Sequence, residues 1–189
     1  MRLSVEVILL LTVGIVAYTI LSTYEPLLLP YCTFYLLLTI ACSFVIFLLE
    51  KSFPIDKPNY MIAQAAAYSF TAMSLIASVF TILSAYRTFA IVEEINALYF
   101  VLVALGEDLF TYGLPLALEK HTPLGKLVYP VFLGLFAILH YPSYGDVKLL
   151  LQPFLAACVN MYLVKKYRNV AGVVVGHMLT DIMLTSLTG

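Results

Sequence analysis

Apolar residues fill the chain in seven long runs separated by short polar breaks, at about residues 3–22, 27–49, 60–85, 97–118, 127–145, 147–164 and 170–188. Each is near the roughly 20 residues a helix needs to cross a ~30 Å hydrocarbon layer. Apolar runs of this length predict spanning helices, because a strand of ordinary length is far shorter. The breaks carry turn chemistry: Glu25-Pro26, the polar stretch Glu50 to Asn59 with Pro54 and Pro58, His121-Thr122-Pro123, and Lys165 to Asn169. Arg2 precedes the first run as in a signal peptide, but the run is too long for one and no small-residue cleavage site follows it. The third run is rich in small residues (Ala63, Ala65, Ala66, Ala67, Ser69, Ala72, Ser74, Ala77, Ser78), which predicts close helix contact and a place inside the bundle.

Composition sharpens this picture. Of 189 residues, 62% are hydrophobic and 11% charged, against roughly 45–50% and ~25% in a water-soluble domain. Seven spans would use about 140 positions, so the expectation is a single all-α transmembrane domain over 1–189, a polytopic helical bundle of about seven spans. Ten Lys+Arg against eleven Asp+Glu give a net charge of −1. With no basic stripe, nucleic acid is not an expected partner; the lipid bilayer is. Cys32, Cys42 and Cys158 all fall in apolar runs and read as small core residues. Alternating seven spans puts Arg2, Lys51, Lys57, Lys120, Lys126, Lys165, Lys166 and Arg168 on one side and only Arg87 and Lys148 on the other. The positive-inside rule then predicts a cytoplasmic N-terminus and an external C-terminus.

Charge inside hydrocarbon costs roughly 2.5–3.5 kcal/mol per residue on insertion scales. Glu107, Asp108, His140, His177 and Asp181 fall within predicted spans, whereas Glu25, Glu50, Asp56, Glu119 and Asp146 lie at ends and Glu6 can snorkel. At ~1.5 Å per residue, Glu107 lies ~15 Å along its span, His140 ~20 Å, and His177 and Asp181 roughly 10 and 16 Å, all near the middle of the core. His177 and Asp181, four apart, project from one helix face. Glu107 and Asp108 point ~100° apart and need not share a site. A lone buried histidine commonly just bonds a carbonyl, but three helices bearing this cost at one depth argue for a polar centre: one carboxylate, two imidazoles and a second carboxylate behind.

The polar patches, read in order, resemble those of the CAAX protease and bacteriocin-processing family of intramembrane proteases, in particular the type II CAAX prenyl endopeptidase. GEDLFTYGLP at 106–115 is similar to the family's Glu-Glu-x-x-x-Arg motif, FAILH at 136–140 to its Phe-x-x-x-His, and HMLTD at 177–181 to its His-x-x-x-Asn/Asp. The resemblance covers a catalytic core of about 95–188. It implies an endopeptidase acting on a peptide or prenylated-protein substrate, with Glu107, His140, His177 and Asp181 catalytic and Asp108, Tyr112 and Phe136 supporting. Two positions depart from the pattern: Asp108 stands where the family has Glu, and Tyr112 where it has Arg, so a neutral phenol replaces a cation that pairs with carboxylates. Glu93-Glu94 offers a rival register, but its Arg position is Leu98. There is no His-Glu-x-x-His, Gly-x-Ser-x-Gly or Gly-x-Gly-Asp for other intramembrane protease chemistries.

Peptide hydrolysis needs a base for water and a donor for the oxyanion. Glu107 can deprotonate a water held against His140 while His177 faces the oxyanion; Asp181 either donates when protonated or orients His177 from behind. No cofactor is required, although Glu107, His140 and His177 would also suit zinc or cobalt with an open water position. Two other classes use the same residues: an impaired relative that serves as a membrane binding or immunity protein, for which Tyr112 speaks, and a small proton- or ion-coupled carrier. Pro115 and Pro142 predict kinks in the fourth and fifth spans.

Overall fold

A computed structural model describes residues 15–19, 29–50, 60–84, 97–167 and 170–188. Among them the chain is almost entirely helical, with no strand. The main helices are α1 (Leu29–Glu50), α2 (Tyr60–Ser84), α3 (Ala97–Asp108), α4 (Leu114–Leu118), α5 (Val128–Leu139), α6 (Tyr141–Tyr144), α7 (Leu151–Tyr167) and α8 (Ala171–Thr188). A π-helical turn, Leu109–Gly113, joins α3 to α4 without a break. The protein is an all-α helical membrane bundle. Four segments are long and apolar enough to cross a bilayer, Leu29–Leu49, Ile62–Phe80, Leu98–Leu118 and Val147–Tyr167, and two shorter apolar helices cover Gly125–Leu139 and Ala171–Leu184. Of the seven predicted runs, the first lies outside the described residues apart from a helical piece at 15–19, and the other six coincide with helices.

The exterior is as apolar as the interior. Phe34, Leu37, Phe44 and Leu48 on α1, Leu75 on α2 and Ile138 and Leu139 on α5 are all exposed. In water such a surface would aggregate; in lipid it costs nothing, and the helices satisfy their own backbone polar groups. Among its apolar core the bundle also buries polar side chains: Thr39, Ser43, Ser69, Asp108, Thr111, Gln152, Asn160, His177 and Thr180.

The segment Leu98–Leu118 is the axis: most of its residues are buried, whereas most of those in the span on α2 are not. It packs on α1, α5, α7 and α8. This corrects the interior place expected for the third run. Only the Ala65, Ala66, Ser69 and Ala77 face of α2 is buried, while Ala63, Ala67 and Ser78 are exposed. The small residues serve its contacts with α8 and α7. At the α8 contact Gly172 and Gly176 let the backbones touch: a Cβ at Gly172 would lie 2.6 Å from Ala65 Cβ, and one at Gly176 would lie 2.6 Å from Ser69 Cβ.

The fifth run also differs from expectation, because α5 stops at Leu139. Pro142 has no N–H for the Ile138 carbonyl, and His140 closes the helix with a short bond from its N–H to Ala137 O (3.1 Å) at φ −82°, ψ −8°. His140 therefore sits at a helix end and not midway along an unbroken span. Gly145, at φ 67°, ends α6 in the left-handed region, and Asp146 Oδ1 accepts the Lys148 N–H (2.8 Å) to start the next turn.

Candidate active site

Four helices bring the site together, and local chemistry sets each approach. Glu107 and Asp108 end the regular part of α3. The π turn follows at once, because Pro115 cannot donate to the Thr111 carbonyl and its ring crowds it; the wider turn absorbs that lost bond. Gly106 lets α1 approach, since a Cβ there would stand 3.1 Å from the Tyr35 carbonyl. As a result the Tyr35 hydroxyl donates to Glu107 Oε1 at 3.0 Å. The Tyr35 ring is fixed edge-on against Tyr99, with centroids 6.3 Å apart.

His140 is aimed by the phenylalanine four residues earlier. Its Nδ1–H donates to the Phe136 carbonyl at 2.9 Å, and the two rings lie 4.4 Å apart. A carbonyl can only accept, so the proton belongs on Nδ1 and Nε2 is left for the site. That nitrogen stands 3.9 Å from Glu107 Oε2. His177, on α8, presents its Nε2 to the same oxygen, also at 3.9 Å. Its Nδ1 is held by Asp108 Oδ1 at 3.0 Å, and Asp181 Oδ2 lies 3.5 Å from its Nε2. Asp108 is fully buried, and its Oδ2 has no hydrogen-bond partner among the described residues.

All the residues singled out in the sequence therefore lie in or beside one cluster, with two changes of place. Glu107 and Asp108 do share a site: 100° apart on α3, they reach opposite edges of one imidazole. The carboxylate behind His177 is Asp108, whereas Asp181 flanks the edge that faces Glu107. Phe136 contributes both its carbonyl and its ring. Tyr112 is almost wholly buried in the apolar core with Ile46, Leu109 and Met161, its hydroxyl beside the Asn160 amide. Glu93-Glu94 lies outside the described residues.

Two elements were not foreseen. Tyr35 had no local signal, since a tyrosine in an apolar run looks like core; its role depends on a partner 72 positions away. Asn160 forms a second buried polar knot, accepting from Ser69 Oγ (2.9 Å) and donating to Met73 Sδ (3.2 Å), which ties α7 to α2. An amide midway along an apolar helix was a visible signal for that one.

Among the described residues no three His, Cys, Asp or Glu side chains are placed to hold a metal ion. Two ligands of one tetrahedral zinc stand roughly 3.3 Å apart at bond lengths near 2.0–2.1 Å, and both Glu107–imidazole separations exceed that. The spacing instead fits a water: about 2.8 Å from Glu107 Oε2 and from His140 Nε2, it would sit at the apex of a near-right angle.

Carboxylates and imidazoles gathered within a helical membrane bundle are groups that hydrolysis can use. The family model described as Type II CAAX prenyl endopeptidase Rce1-like matches residues 79–183, and the chain belongs to that family. No curated protein and no solved structure matches the chain. The family carries protease activity, and its matched region contains every site residue above except Tyr35.

Proposed function

We propose that the protein is an intramembrane endopeptidase of the CAAX-protease type that hydrolyses a peptide bond with water activated between Glu107 and His140. The observation that carries this reading is the single oxygen, Glu107 Oε2, standing 3.9 Å from both imidazole Nε2 atoms. A water bonded to Glu107 and His140 gives its proton to the carboxylate as it attacks the scissile carbonyl carbon. The carbonyl oxygen becomes an oxyanion and accepts from His177 Nε2–H, with His177 in its cationic form and its charge balanced by Asp108 and Asp181. Glu107 then returns the proton to the departing amine as the C–N bond breaks. Asp108 orients His177 from behind; Asp181, at the Nε2 edge, steadies the same ring.

The family description supports a prenylated C-terminal peptide as substrate. The charge asymmetry of the loops supports a cytoplasmic N-terminus. The test is cleavage of a fluorogenic prenylated tetrapeptide-tailed substrate by the purified full chain in detergent. Glu107→Gln keeps the shape and removes the base, so cleavage is expected to fall by about a hundredfold or more; near-normal cleavage by that variant refutes the assignment. Chelators are expected to leave the rate unchanged. Loss on chelation, restored by zinc or cobalt, would replace this mechanism with one in which Glu107, His140 and His177 bind metal.

One observation favours a second reading, a binding or immunity protein on the same scaffold: a neutral Tyr112 stands in the arginine position of the family motif. Against it, Tyr112 is buried in the apolar core with its hydroxyl beside Asn160.

A further inference from the structure

We propose that Tyr35 is a positioning residue that tethers the Glu107 carboxylate and so holds open the gap in which water is activated. The inference rests on the reading of Glu107 as the base. Tyr35 lies on α1, outside the matched region, and reaches the site from a helix that carries none of the motif residues.

A carboxylate facing two imidazoles has an easy alternative to activating water. It can swing about its last torsion, which is broad and soft, and pair directly with either ring at about 2.8 Å, the usual length of a charge-assisted bond. In the structure it does neither, standing 3.9 Å from both. The only hydrogen bond to Glu107 among the described residues comes from the opposite side, from the Tyr35 hydroxyl to Oε1 at 3.0 Å. That donor occupies one oxygen and fixes the plane of the carboxylate. The other oxygen is left midway between the rings, with its lone pairs free for water.

The tether is itself held at several points. Gly106 brings the α1 backbone against α3 beside Glu107, with the Tyr35 carbonyl 3.1 Å from where a Cβ would be. Thr39 Oγ1 donates to that same carbonyl at 2.8 Å. Phe34 and Tyr99 pack edge-on against the Tyr35 ring, at 5.3 and 6.3 Å. A hydroxyl so placed is a fixed donor; a ring meant only to fill lipid-facing space would need none of this.

The experiment compares the full chain in detergent with Tyr35→Phe, Tyr99→Phe and Glu107→Gln, using the same fluorogenic prenylated peptide. Losing a hydrogen bond to a charged group while keeping the ring should lower kcat in Tyr35→Phe roughly tenfold to a hundredfold, with KM within twofold of wild type. Tyr99→Phe removes a neighbouring hydroxyl that does not bond Glu107 and should stay within twofold. An independent readout needs no substrate. The infrared carboxylate band that vanishes in Glu107→Gln should shift in Tyr35→Phe and not in Tyr99→Phe. An unshifted band, or equal losses in Tyr35→Phe and Tyr99→Phe, overturns the tether. Cleavage that survives Glu107→Gln overturns the base instead, and the infrared comparison still decides whether Tyr35 holds that carboxylate.

Discussion

Gly176 immediately precedes His177, and its substitution tests whether the helix contact that places the imidazole is as tight as it is described. An alanine Cβ there would stand 2.6 Å from Ser69 Cβ and 2.7 Å from both the Ala66 carbonyl oxygen and Ser69 Oγ. Rotating Ser69 can move the hydroxyl but neither its own Cβ nor the Ala66 backbone. Ordinary contact begins near 3.4 Å, so α8 must back away from α2 by about 0.8 Å or tilt by an equivalent amount. Overpacking of this kind costs typically 1–3 kcal/mol. With backbone as the obstacle the upper half of that range applies, and at 2–4 °C per kcal/mol for a chain of this size the melting point should fall by roughly 4–12 °C.

The same displacement acts on the chemistry. His177 is held at 3.0 Å from Asp108 and 3.9 Å from Glu107, and neither distance survives a shift of about 0.8 Å in its helix. A misplacement near 1 Å costs on the order of a hundredfold in rate, so cleavage by Gly176→Ala should fall tenfold to a hundredfold even where the protein is fully folded. Thermal unfolding in detergent, followed by tryptophan-free methods such as thiol exposure of Cys32 and Cys42, gives the stability; the fluorogenic peptide assay below the melting point gives the rate. Gly134→Ala is the control. No atom lies within 4 Å of its Cβ, and replacing a helical glycine should stabilise by about 0.5–1 kcal/mol. A Gly176→Ala protein that melts and cleaves like wild type would refute the close α2–α8 contact and with it the placement of His177.

The Asp108→Asn protein keeps an acceptor for His177 but loses the charge, and it puts an NH2 where Oδ2 now has no partner. Cleavage should fall about a hundredfold or more with the fold retained; a rate within threefold of wild type would show that Asp108 does not orient His177. Tyr112→Phe should cleave within about threefold of wild type and melt a few degrees lower, since the lost hydroxyl is worth roughly 1 kcal/mol and faces Asn160. Abolished cleavage there would place Tyr112 in the site. Asn160→Ala should destabilise by roughly 1–2 kcal/mol because it leaves the buried Ser69 hydroxyl only its weak contact with Met73 Sδ. Combined with Tyr112→Phe it should add less than the two single effects, and strict additivity in the melts would mean that the residues share no contact.

What the sequence revealed and what it hid follow one physical line. Periodic or continuous apolarity is a local property, so the helices over 29–50, 60–84, 97–118, 151–167 and 171–188 were legible within a few residues. A charge in an apolar run is conspicuous for the same reason: it violates its surroundings, and Glu107, Asp108, His140, His177 and Asp181 could be found without any partner in view. Tyr35 violates nothing. Its hydroxyl acquires meaning only because Gly106 brings α1 within reach of Glu107, and that approach is a property of the packed bundle. The exchange of places between Asp108 and Asp181 has a similar origin. The i, i+4 spacing on α8 put Asp181 beside His177, and it is there at 3.5 Å; but which edge of the ring it meets is decided by α3, whose Asp108 already occupies Nδ1. The end of α5 at His140 was half legible, since Pro142 was seen as a kink, yet the break falls two residues before it, where the missing N–H leaves the helix nothing to continue on. Local rules thus located the groups that bear charge, while the neutral groups that aim them belong to contacts between helices.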